Sequence, residues 1–122
     1  MAMVRFDPFR EFWVPPVDIY ETDAHDLVIT AELPDMSREA IEVTVEHNTL
    51  TLRGARARPG EVKEGQFRRV ERPHGAFARS FTLPNTVDAS KVSAAYKNGV
   101  LTVKLPFKDE ARPRTINVEV AA

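Results

Sequence analysis

Three histidines, His25, His47 and His74, are the first residues to test for chemistry. Imidazoles that hold a metal recur at short fixed spacings beside other ligands, and these three stand apart from one another. Each reads as an ordinary surface or turn residue. Ser37, Ser80, Ser90 and Ser93 lack the glycine-flanked turn that presents a nucleophilic hydroxyl. There is no cysteine, which excludes thiol catalysis, disulfides and cysteine-ligated metals. No glycine-rich loop ending in Gly-Lys-Ser or Gly-Lys-Thr is present to cradle a nucleotide. The carboxylates fall on outward strand positions and turns and suggest no acid–base pair. The expectation is a protein without catalytic residues, metal or cofactor. Its chemistry must be binding.

Charge is the first binding signal. Lys and Arg number 17 against 18 Asp and Glu, a net of −1. That near-neutral sum hides a separation. Residues 18–48 hold nine acids against Arg38 alone, and residues 53–79 hold eight bases against three acids. Opposite segments attract, so Arg68 and Arg69 are expected to meet Asp18, Glu21 or Asp23 of a second copy. Each exposed pair contributes only about 0–1 kcal/mol, so the effect is on register more than strength. The basic stretch offers only Phe67 and Phe77 for base stacking. With a chain that is not basic as a whole, nucleic-acid binding is not expected.

Apolar side chains give the second signal. Residues 1–16 form an N-terminal hydrophobic arm with Phe6, Phe9, Phe12 and Trp13, four of the ten aromatics. These read either as a hydrophobic staple folded onto the body or as a sticky arm for self-assembly, and they are candidates for contact with exposed apolar surface on other proteins. Pro15 and Pro16 end the arm. At the other end, Ile116 and Val118 lie on one side of an extended segment with Asn117 on the other. Two such knobs suit docking at a sheet edge, and burying both would contribute roughly 3–5 kcal/mol before entropic losses.

A rigid body must lie between these arms. From Val17 onward apolar residues recur with period two, the signature of half-buried strands. Leu27, Ile29, Ala31 and Leu33 share a face, then Ile41, Val43 and Val45, then Leu50 and Leu52. Phe77, Phe81 and Leu83 follow, then Val92, Ala94 and Tyr96, then Leu101, Val103 and Leu105, and finally Ile116, Val118 and Val120. His47-Asn48 and Asn98-Gly99 read as tight hairpin turns. Ser37–Ala40 suggests one helical turn. The expected fold is all-β, an antiparallel immunoglobulin-like β-sandwich. It spans residues 17–106, with a protruding loop at 55–75 and a C-terminal extension at 107–122. Phe67-Arg68-Arg69-Val70 reads as an extra strand within the loop, because long connections are commonly functional. About ten residues separate Leu105 from Ile116, a reach of roughly 33 Å when extended. Arg79 shares the register of Phe77 and Phe81. A guanidinium there needs a partner, or a bulge that turns it to solvent. No apolar run approaches the ~20 residues of a membrane span, and no signal-peptide pattern is seen, so a cytoplasmic location is expected.

Several pieces in order resemble the small heat-shock proteins of the α-crystallin/Hsp20 family, bacterial type. Phe6-Asp7-Pro8-Phe9 resembles the D-P-F start of bacterial members. Pro16-Val17-Asp18-Ile19-Tyr20-Glu21 resembles P-V-D-I-x-E, and Glu32-Leu33-Pro34 resembles the family's E-L-P. Asn48 to Gly54 resembles N-x-L-x-I-x-G. Glu71-Arg72, Gly75, Phe77, Arg79, Phe81 and Leu83-Pro84 resemble E-R-x-x-G-x-F-x-R-x-F-x-L-P. Ala95 to Leu101 resembles A-x-x-N-G-V-L, and Ile116-Asn117-Val118 resembles I-x-I/V. Asp35 stands where glycine is usual, His74 where an aromatic is frequent, and the N-terminal arm is short for the family.

The resemblance implies an ATP-independent holdase. Such a protein binds partly unfolded clients, prevents their aggregation and passes them to ATP-driven chaperones. It implies a strand-exchanged dimer in which the loop meets the partner's first strand, through Asp18, Tyr20, Glu21, Phe67, Arg68, Arg69, Val70 and Arg79, and assembly into larger homo-oligomers. It also implies that Ile116 and Val118 dock in a neighbour's edge groove, for which Val43, Val45, Val92 and Ala94 are candidates. The competing reading is a p23/CS-like co-chaperone sandwich, a monomeric adaptor without a docking tail.

Overall fold

A computed structural model describes residues 13–111 and 115–121. Seven strands build two antiparallel sheets. They are β1 (Val17–Glu21), β2 (Asp26–Glu32), β3 (Ile41–Glu46), β4 (Thr49–Arg56), β5 (Gly75–Thr82), β6 (Ser93–Lys97) and β7 (Val100–Pro106). One sheet has the order β1-β2-β7-β6 and the other β3-β4-β5. The period-two faces meet between the sheets. Ile29, Leu33, Leu50, Leu52, Val103 and Leu105 are almost fully buried there. Val28, on the opposite face of β2, is buried too.

The hairpins form where turn chemistry demands. His47 and Asn48 both have positive φ (51° and 58°), as do Asn98 and Gly99 (54° and 77°). This is the two-residue geometry whose twist matches the strands it joins. A Cβ on Gly99 would lie 3.1 Å from Pro34 Cα, so the Asn-Gly turn packs closely against the Leu33-Pro34 segment. Leu33 N donates to Gly99 O at 2.8 Å. The Tyr96 hydroxyl donates to the Leu33 carbonyl. Two of the sequence's motifs are therefore one contact. Gly54 serves differently: a Cβ there would sit 2.3 Å from Ala40 O. The expected helical turn is a short 3-10 turn at Arg38–Ala40, leading directly into β3.

Four expectations are corrected. Phe67–Val70 forms no strand, and no strand among the described residues lies beside it to complete its hydrogen bonds. The connection runs from residue 57 to 74, shorter than expected, because β4 extends to Arg56 and β5 begins at Gly75. Ile116, Val118 and Val120 form no strand either, and are 76%, 92% and 96% exposed. The sandwich also reaches beyond 17–106. Trp13 joins the core, and Phe107 bridges to Val87 with Lys108 N donating to Thr86 O at 2.7 Å. The tail's reach accordingly starts near Ala111. Five residues to Ile116 span about 18 Å, not 33 Å.

Candidate interaction surfaces

Three sheet edges matter. β1 ends one sheet, while β6 ends it on the other side and β3 ends the second sheet. Between β3 and β6 lies a groove of about 340 Å³ lined by Arg38, Ile41, Val43, Ala94, Ala95, Tyr96 and Leu101. Its walls are the free edges of both sheets and its floor is apolar. Of the four groove candidates, Val43 and Ala94 line it. Val45 and Val92 do not line it, although, like Val43, both pack against the core. Ile41 and Tyr96 went unnamed, yet they share the alternating registers of Val43 and Ala94 and were legible from them.

β1 pairs with β2 on one side, from Val17↔Ala31 to Glu21↔Leu27, and its other edge pairs with no strand among the described residues. Asp18 and Glu21 are exposed, and Ile19 and Tyr20 are about half exposed. On the loop, Arg68 and Arg69 are exposed while Phe67 and Val70 are partly buried. The Arg58 guanidinium stands 5.9 Å from the Phe67 ring centroid. Arg69 lies 3.9 Å from Glu71. Among the described residues, no ion pair joins Arg68 or Arg69 to the acids of the same chain's β1. Basic loop and acidic edge are thus both presented outward.

Arg79 does not bulge out. β5 pairs residue for residue with β4 from Gly75 to Thr82, so Arg79 faces inward opposite Leu52. Its charge is met locally: Nη1 donates to Pro15 O at 2.9 Å and the guanidinium lies 5.3 Å from the Phe81 ring. Trp13 is likewise turned inward, which takes it out of the client-binding candidates and fits the reading of the arm as a staple on the body. It is 8% exposed, stacks edge-on against Phe77 at 5.4 Å, and donates from Nε1 to Gly75 O at 2.9 Å. Phe6, Phe9 and Phe12 lie outside the described residues.

The residue that sequence reasoning missed is Arg56. It is only 4% exposed at the end of β4. Its guanidinium donates to Pro34 O at 3.0 Å, and to Pro73 O through Nε at 3.1 Å and through Nη2. It also lies 4.1 Å from the Trp13 ring centroid. Burial lowers its pKa, with Arg72 nearby adding to the effect, but guanidinium remains charged at any physiological pH. Nothing local in Gly54-Ala55-Arg56 announces this. Asp35 adopts the left-handed region that the usual glycine would take, with φ of 61°. It receives Arg72 at 3.1 Å.

The chain as a whole is similar to known proteins. The family model for the Hsp20/alpha crystallin family matches residues 19–120. The chain belongs to that family. An 18 kDa heat shock protein of Streptomyces albus G is 33% identical over 133 residues, covering 95% of this chain and 92% of that protein. Spore protein SP21 of Stigmatella aurantiaca is 38% identical over 106 residues, covering 87% of this chain and 62% of the other. The crystal structure of a small heat-shock protein from Xylella fastidiosa superposes with a TM-score of 0.75 at 35% identity, covering 88% of this chain and 98% of that one. As a small heat-shock protein, the chain is a chaperone with the α-crystallin β-sandwich as its body. The described residues contain no helix long and apolar enough to cross a membrane.

Proposed function

We propose that this small heat-shock protein holds non-native proteins, without ATP, as an assembly built from three surfaces. The observation that carries this is a mismatch within a single chain. The β3–β6 groove is open and apolar, and the tail that carries Ile116 and Val118 lies exposed. Each supplies what the other lacks, so the tail docks in a groove and links dimers into larger homo-oligomers. The dimer forms when the 67–70 segment, which has no strand partner among the described residues, pairs with the β1 edge of a second copy. Arg68 and Arg69 then approach Asp18 and Glu21, and Arg79 supports the interface through the root of the arm.

Clients bind through the arm residues Phe6, Phe9 and Phe12, whose apolar rings match the surface that unfolding proteins expose. Exposed Ile19 and Tyr20 on β1 add apolar surface near them in sequence. The protein works without cofactor, metal or catalysis, in the cytoplasm. It binds neither nucleic acid nor membrane and hands clients on to ATP-driven chaperones. The monomeric p23/CS-like reading is disfavoured by the family match.

The test is the double variant Ile116→Ala, Val118→Ala, sized by light scattering after chromatography. Dimers without larger species are expected. Large oligomers identical to those of the unaltered chain would refute the docking assignment.

A further inference from the structure

His74 lies at the foot of the 57–74 loop, immediately before β5, with its ring 6% exposed. Nδ1 is 2.9 Å from the carbonyl oxygen of Arg72. A carbonyl can only accept, so Nδ1 carries the proton and donates, which leaves Nε2 as the bare nitrogen. Nε2 is buried and has no hydrogen-bond partner among the described residues. A second proton must enter there, as a buried charged N–H facing no acceptor.

The surrounding charges add to the difficulty. Arg56 of β4, Arg58 at the start of the loop and Arg72 at its end all act on the ring with like charge, and no carboxylate is among the charges that do. Asp35, on the connection after β2, is 3.1 Å from Arg72. Burial is the largest influence. Together with the arginines it outweighs the Arg72 carbonyl bond and holds the imidazole below its ordinary pKa.

The neighbours of His74 in sequence are anchors. The Pro73 carbonyl accepts from Arg56 at 3.1 Å. The Gly75 carbonyl accepts from Trp13 Nε1, and the Ala76 carbonyl from Trp13 N, each at 2.9 Å. Expelling the His74 ring must disturb this run of carbonyls.

We propose that His74 is an acid-sensitive latch. Neutral, it seals the foot of the loop and keeps the arm root seated on β5. Protonated, it leaves its site and frees both. The sign follows from linkage. The open form binds the proton more tightly, so closure is fully favoured above about pH 6.5 and weakens as pH falls from there toward the folded value. Each unit separating the two pKa values changes the closed-to-open ratio tenfold. The latch stands on its own geometry; only its effect on assembly rests on the loop-exchange reading above.

Hydrogen exchange of the full chain tests it, at about pH 7.5 and about pH 5.5, with rates normalised to intrinsic exchange. Residues 57–76 and the Trp13 amide should exchange faster at the lower pH, by at most about tenfold. In His74→Phe, which keeps an apolar ring but cannot titrate, the rise should vanish. An equal rise in both proteins would overturn the latch. An NMR titration of the unaltered chain decides independently of whether the variant folds. His74 should hold its Nδ1–H tautomer and titrate below the ordinary imidazole range, and titration at the ordinary value would overturn the proposal. Faster exchange at the loop foot with an intact dimer would support the latch and count against exchange through the loop.

Discussion

Arg56 and Trp13 meet face-on where the N-terminal arm joins the sandwich, the guanidinium carbon 4.1 Å from the ring centroid. The same guanidinium holds the carbonyls of Pro34 and Pro73. One side chain thereby ties the arm, the β2–β3 connection and the foot of the loop together. It lies where the arm and the loop, the two segments proposed for client capture and dimer exchange, meet the sandwich.

Arg56→Met should be destabilising by about 2–3 kcal/mol, because it strands two carbonyls that had charged donors and removes the ring contact. Melting followed by circular dichroism should show a Tm lower by roughly 8–24 °C for a domain of this size. Lysine should restore only part of the loss, since one ammonium lacks the planar fork that bridges both carbonyls. Coincident melting curves for Arg56→Met and the unaltered chain would show that the bonds contribute nothing.

Gly54→Ala tests the close approach of β4 to the Arg38–Ala40 turn. The added Cβ would meet Ala40 O at 2.3 Å, which is backbone and cannot swing aside. A loss of about 1–3 kcal/mol in urea unfolding is expected. An unchanged midpoint would mean that this turn moves freely.

Arg79→Gly removes the donor at Pro15 O and the contact with Phe81. Because Arg79 is only half buried, folding should survive with a loss of about 1 kcal/mol from the missing hydrogen bond. Assembly should suffer more, since the arm root is released. Sedimentation velocity should show altered or polydisperse oligomers beside a near-normal unfolding curve. The reverse pattern, normal oligomers with a poorly folded domain, would limit Arg79 to packing.

The sandwich was readable from the chain because its rules are local. Alternation placed Ile29, Leu50, Leu52 and Val103 inside, and His47-Asn48 and Asn98-Gly99 declared their own positive φ angles. Edge position was not readable, since nothing in Ile41–Glu46 or Ser93–Lys97 says which strand neighbours each will lack. Val45 and Val92 therefore look the same in sequence as Val43 and Ala94, which line the groove. The place of Trp13 was not readable, because an aromatic-rich arm looks alike whether its rings face out or in. Its destination depends on Phe77, Gly75 and Arg56, all distant in sequence. Val70 and Val118 share a different difficulty. Each carries a strand-like pattern, yet neither lies in a strand among the described residues.

Reversing the loop charges with Arg68→Glu and Arg69→Glu should set like charge against the acidic β1 edge. Sedimentation equilibrium should report a weaker dimer, and raising salt should reduce the difference between variant and unaltered chain, as screening predicts. Identical dimer constants at low salt would remove these arginines from the interface.

The central claim is chaperone action by apolar capture, without ATP. Its most direct test is light scattering from a heat-labile model enzyme warmed with increasing amounts of the protein. Scattering should fall progressively as the protein is added and should not respond to ATP. Scattering that follows the curve of the enzyme alone, even with the protein in excess, would contradict it.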